Sequence, residues 1–188
     1  MYRQILSIFL LLLLVSCTTH PIPETQQHYK EKLYAFLVHM DQDIEPSEAR
    51  ILARESIRHS KRLALQYKVS TPPLVHNFLT NIGVKGRGLC YQWSDDLYSH
   101  LQQYHFKSIQ LLPVGAHVGS YWREHNAIVA LPVHSNDLNQ GILLDAWRAS
   151  GKLYFVPITQ DPDYHWQIRT DRRDVYRSGY GYFLKKEK

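Results

Sequence analysis

Apolar residues recur at helical spacing through the first half of the chain and in short runs through the second. Over residues 27–40, Leu33, Phe36, Leu37 and Met40 share one face, which predicts a helix. Asp41 to Glu45 breaks that pattern, and Pro46 is suited to the first turn of a second helix over 46–67. Good helix formers fill it, among them Ala49, Leu52, Ala53, Leu63 and Ala64. Thr71 and Pro72 read as the N-cap and first position of a short third helix ending near Asn81. A fourth runs from about Leu89 to Tyr104. Its Cys90, Trp93, Leu97, Leu101 and Tyr104 fall within about a quarter-turn, a face that must be buried. Residues 108–114, 127–131, 142–147 and 153–158 then read as strands. Helices first and strands afterwards predict an α+β fold, with N-terminal helices and an antiparallel sheet packed on a central helix, and not a βαβ repeat.

The extreme N-terminus does not belong to that pattern. Arg3 and the amino terminus form a short positive region, followed by the uncharged, leucine-dominated stretch from Ile5 to Val15. That stretch falls short of the roughly 20 apolar residues needed to span a bilayer. It ends in Leu14-Val15-Ser16-Cys17, which resembles the lipobox of bacterial lipoprotein signal peptides. The resemblance implies diacylglycerol transfer to Cys17, cleavage before it and acylation of the new amino group. Residues 1–16 are then a signal peptide excluded from the fold. Residues 17–26, with Pro21 and Pro23, become a tether, and 27–188 one domain. Two or three acyl chains on one residue anchor stably where a single chain is marginal. Thr18, not Asp, follows the cysteine, which by resemblance to the enteric sorting rule favours the outer membrane, facing the periplasm.

Removing 16 residues from 188 leaves 172, enough for one ordinary domain that buries its core without disulfides or metals. The net charge of +5 permits contact with anionic headgroups or acidic envelope polymers. Arg169, Arg172, Arg173, Arg177, Lys185, Lys186 and Lys188 gather that charge near the C-terminus, where a solvated basic tail is expected. No nucleic-acid-binding motif accompanies it. With Cys17 lipidated, Cys90 is the one remaining thiol, a liability in an oxidising compartment unless buried or used.

Three segments carry candidate chemistry: Gly86-Arg87-Gly88-Leu89-Cys90-Tyr91-Gln92-Trp93, Glu124-His125-Asn126-Ala127, and Leu143-Leu144-Asp145-Ala146-Trp147. A thiol attacks as thiolate, of which a free pKa near 8.5 leaves little at neutral pH. A helix N-terminus and an adjacent imidazolium both favour the charged form, and a carboxylate can fix the imidazole's tautomer. Cys90 stands at the expected helix start, after a flexible basic loop holding Gly83, Gly86 and Gly88. His125 opens a strand and Asp145 sits late in the next. That order, with gaps of 35 and 20 residues, resembles the transglutaminase-like superfamily of papain-fold proteins over about residues 72–158. The resemblance implies Cys90 as nucleophile, His125 as base and Asp145 as orienting acid. The activity it implies is that of a thiol hydrolase or acyltransferase on amide bonds of a protein or peptide, in a family that also holds inactive members.

The Cys90 N–H would be one oxyanion donor, and Asn77 or a nearby Tyr or Trp the other. No cofactor or metal is expected: there is no HExxH and no CxxC. Each residue also has a plainer reading. Cys90 could be a small core hydrophobe, and His125 one of eleven histidines. Asp145 inside an apolar strand needs a donor, for which His125 or Arg148 could serve. Tyr91, Trp93, Tyr121, Trp122, Trp147 and Tyr154 flank the motifs as cleft walls or as core. A non-enzymatic envelope module that binds peptide or peptidoglycan in the same cleft is the alternative.

Strand geometry constrains the outcome. A hairpin closed tightly at Asp137 would pair Val129 with Asp145 and hold His125 about 13 Å away along the strand. Contact requires Asp145 opposite His125 or Ala127, hence a wide loop over 132–140. Alternation then puts His125, Ala127, Val129, Leu143 and Asp145 on one face, which is expected to pack on the start of the central helix and bring Cys90 Sγ within about 4 Å of a His125 ring nitrogen. Val129 paired with Asp145, or Cys90 on the opposite face from His125, would count against the enzymatic reading. For the N-terminus the expected outcome is that Cys17→Ser abolishes palmitate labelling and membrane fractionation while leaving the domain's circular dichroism unchanged. Membrane retention of that variant, with no label in the parent, would refute the lipobox.

Overall fold

The computed structural model describes residues 25–120 and 123–171. The expected signal peptide, Cys17, most of the expected tether, Tyr121, Trp122 and the basic positions from Arg172 onward lie outside those residues. Four helices come first: α1 (Gln26–Val38), α2 (Pro46–Gln66), α3 (Pro73–Asn81) and α4 (Cys90–Gln102). Five strands follow: β1 (Ile109–Ala116), β2 (His125–Pro132), β3 (Ile142–Asp145), β4 (Tyr154–Pro157) and β5 (Gln167–Ile168). They form one antiparallel sheet in the order β4-β3-β2-β1-β5. The fold is α+β.

Local chemistry explains where the elements begin and end. Thr25 caps α1 by accepting from the His28 N–H. The third helix starts one residue later than Thr71-Pro72 suggests. Pro72 precedes another proline, which disfavours the helical region, so Pro72 stays extended at ψ 154° and Pro73 opens α3. Strand β3 stops at Asp145 and does not reach Trp147, because Asp145 Oδ1 accepts the N–H groups of both Trp147 and Arg148 and turns the chain. The two-residue β5 is too short to leave a sequence pattern.

The face of α4 that carries Cys90, Trp93, Leu97 and Leu101 is buried as the spacing requires. It packs with α1 and α2 against Ile109, Leu111, Ile128, Ala130, Ile142 and Leu144. Leu112, Val114, Ala127, Val129, Leu131 and Leu143 form a second cluster on the other side of the sheet. This corrects the expected packing: the face shared by Ala127, Val129 and Leu143 is turned away from α4. Ser94 Oγ donates to the Ala127 carbonyl at 3.1 Å and ties α4 to β2.

The β2–β3 register pairs Val129 with Leu143 and Ile128 with Leu144. Continued one step, it sets Asp145 level with Ala127 and one diagonal from His125. The connection is the wide one, containing a 3-10 turn at Leu138–Gln140.

Candidate active site

Cys90 is the first residue of α4, so its N–H has no intrahelical acceptor. Hydrogen bonds fix the three residues just before it. Gln92 Oε1 accepts the N–H groups of Gly88 (2.7 Å) and Leu89 (3.0 Å). Trp93 Nε1 donates to the Gly88 carbonyl at 2.9 Å. His76, buried on α3, bonds through Nε2 to the Arg87 carbonyl at 2.9 Å. The Arg87 guanidinium forks onto Asp96 at 2.6 and 3.1 Å. Gly88 has φ +130°, and a Cβ there would lie 2.3 Å from His76 Nε2, so only glycine fits.

His125 and Asp145 form a buried pair, 2% and 1% exposed, with Nε2 and Oδ2 2.7 Å apart. Asp145 is fully satisfied. Arg148 Nε reaches Oδ2 at 3.1 Å, and the two turn N–H groups take Oδ1 at 3.0 and 3.1 Å. Both partners considered for this carboxylate are therefore used. Arg148 also pairs with Asp161 at 2.8 Å. Burial pushes the Asp145 pKa up, but His125 and Arg148 outweigh it and hold it below the usual value. Burial likewise pulls the His125 pKa down, yet the charge and hydrogen bond of Asp145, with Cys90 adding to them, raise it to about 9.

Three aromatic rings crowd the imidazole, Trp147 at 4.7 Å, Tyr164 at 4.8 Å and Trp166 at 5.4 Å between centroids. Nε2 is committed to Asp145, and Nδ1 is buried without a complete hydrogen bond.

Although α4 lies on the other face of the sheet, Cys90 and His125 open into one cleft of about 400 Å³ around the end of β2. Leu74, Asn77, Trp147 and Tyr164 are among its walls. Both residues begin their elements, so neither is covered by a preceding turn. Asn77 lies in this cleft with its Oδ1 accepting from Trp147 Nε1 at 2.9 Å. An indole only donates, so the Asn77 amide N–H₂ is the end left for another partner. Trp93 is core, 2% exposed, and not a cleft wall.

Four residues were not singled out from the sequence: Tyr164, Trp166, Glu124 and Asn126. The first two lie some 40 residues beyond His125, where no periodicity points back to it. The last two flank His125 and could have been weighed. Arg169 does not belong to a solvated tail. It is 7% exposed and bonds Glu124, Asn126 and Asp171.

Linkage fixes the pH behaviour. A raised imidazole pKa stabilises the fold fully below the free value of 6.5, and this is lost as pH rises through about 9. The lowered Asp145 pKa adds stability above the free carboxyl value of 3.8, lost on acidification. Asp145→Asn removes the charge that raises His125, so the ring should titrate well below 9, read by NMR of the imidazole. An unchanged titration would contradict the coupling. Gly88→Ala should cost about 2 kcal/mol or more in urea unfolding, from its backbone strain and the His76 collision. No protein-family model matches the chain, and no curated protein or solved structure matches it.

Proposed function

We propose that this protein is a lipid-anchored thiol hydrolase or acyltransferase, of transglutaminase-like papain fold, acting on amide bonds of a protein or peptide in the cell envelope. The observation that carries the reading is the buried His125–Asp145 pair opening into the same cleft as a cysteine at the first residue of a helix. The pair keeps the imidazole protonated at neutral pH at the cleft that Cys90 also lines.

In the reaction, Cys90 Sγ attacks the substrate carbonyl carbon and the carbonyl electron pair moves to oxygen. The Cys90 N–H and the Asn77 amide N–H₂ stabilise that oxyanion. Collapse breaks the C–N bond, and the His125 imidazolium gives its Nδ1 proton to the departing amine. A thioester on Cys90 remains. Water, deprotonated by His125, completes hydrolysis; an amine in its place completes transfer and leaves a new amide. Asp145 orients the ring throughout and is not itself protonated. The anchor at Cys17 confines this chemistry to the membrane surface.

The test is alkylation of Cys90 by iodoacetamide across pH, read on its peptide by mass spectrometry. The native protein should label with an apparent pKa well under the free-thiol value, and His125→Ala should lose that low-pH reactivity at least tenfold. Labelling only after denaturation would leave Cys90 as a packing residue and remove the enzymatic reading. With envelope peptides as substrate, Cys90→Ala should abolish release or transfer.

A further inference from the structure

Cys90 has a second polar neighbour that the reaction above does not use. Asn126 follows His125 in β2 and is 3% exposed. Alternation turns it to the opposite side of the strand from His125, toward α4. Its Nδ2 donates toward Cys90 Sγ at 3.9 Å and toward Glu124 Oε1 at 3.4 Å. Arg169 Nη1 donates to Asn126 Oδ1 at 3.1 Å. A guanidinium has no acceptor, so this bond decides which way the amide faces: oxygen to Arg169, N–H₂ to the sulfur.

The same arginine bonds Glu124 Oε1 at 2.6 Å and so offsets a carboxylate that would otherwise oppose a thiolate nearby. Its N–H is anchored to the Pro113 carbonyl at 2.9 Å. Its side chain crosses β1 at Gly115, the residue paired with Asn126; a Cβ there would lie 2.9 Å from Arg169 Cδ.

The thiol and the thiolate need different partners. As a thiol, Cys90 donates to the Glu124 carbonyl at 3.6 Å. A thiolate has nothing to donate and is repelled by that oxygen, so ionisation requires donors. We propose that Asn126 is a catalytic residue that donates to the Cys90 thiolate, and that Arg169 is the positioning residue that aims its amide. The inference rests on the reading of Cys90 as nucleophile. Other charged or titratable groups around the cleft are Glu124 before β2 and His125 at its start, His117 and Arg123 on the β1–β2 connection, and Asp163 and Tyr164 beyond β4.

The experiment is the pH–rate profile of iodoacetamide alkylation at Cys90 in the full chain. Asn126→Ala should raise the apparent thiol pKa by about one unit, a tenfold loss of thiolate at neutral pH. Gly115→Ala should shift it the same way, because the added Cβ displaces Arg169 while Asn126 stays in place. Gly115→Ala also serves if Asn126→Ala does not fold, as judged by near-ultraviolet circular dichroism. Asn126→Asp keeps the shape and the Arg169 bond but adds charge. If it alone shifts the profile, proximity of charge explains the result and the donor role is overturned. Profiles of Asn126→Ala and Gly115→Ala that superimpose on the parent also overturn it and leave the nucleophile standing. A parent whose Cys90 shows no low-pH reactivity removes the nucleophile, and this inference with it.

Discussion

A carboxylate buried at the end of an inner strand of an antiparallel sheet dictates much of the surrounding architecture. Isolated, the Asp145 charge would cost several kcal/mol even after relaxation. Four donors meet it: two turn N–H groups, the Arg148 guanidinium and the His125 ring. The turn donors end β3. The guanidinium in turn requires Asp161, which also accepts from Trp166 Nε1 at 2.8 Å, and so brings an aromatic ring back over His125. The histidine is held by Nε2, which leaves Nδ1 as the nitrogen for chemistry. One buried charge thus orders the strand end, the loop beyond β4 and the tautomer of the imidazole.

The helix start is ordered by several hydrogen bonds and one ion pair closing around a loop of intrinsically free residues. Glycines at 83, 86 and 88 carry a large entropic cost on folding. Gln92 and Trp93 fix the last of them, and His76 with the Arg87–Asp96 pair fixes the residue before it. The ordering cost is therefore met in folding and not at the moment a substrate binds, which is the condition for a preorganised site. Ser94 then locks the first turns of α4 against β2, the strand that begins with His125.

The helices, four of the five strands and the α+β class were legible in the sequence because they depend on periodicity within about ten residues. So was a donor for Asp145, because a carboxylate inside an apolar strand needs one, and His125 and Arg148 supply it. The wide β2–β3 connection followed from strand arithmetic. The face that packs on α4 did not. Alternation places His125 with Val129 and Leu143, and those residues lie away from the helix. The cysteine and histidine share a cleft because both are terminal residues of their elements, a three-dimensional fact with no periodic signal. Arg169 was unreadable for the same reason: within a run of basic residues its charge looks solvated, and only the gap left by Gly115 gives it a way into the interior.

The basicity of His125 bears on which bonds the proposed site suits. A ring raised to about 9 stays protonated through the neutral range. Such an imidazolium is a weak acid toward water but closely matched to an amine, whose protonated form loses its proton near the same pH. Brønsted behaviour favours proton transfer between groups so matched, and breaking an amide expels an amine. Three aromatic rings pack around the imidazole at tilted angles, and the burial they contribute opposes its charge, so the raised pKa rests on Asp145. A thioester leaving group needs no such proton, so the raised pKa would bring little advantage there. The electrostatics of the His125–Asp145 pair therefore fit the proposed substrate class, an amide-bonded chain.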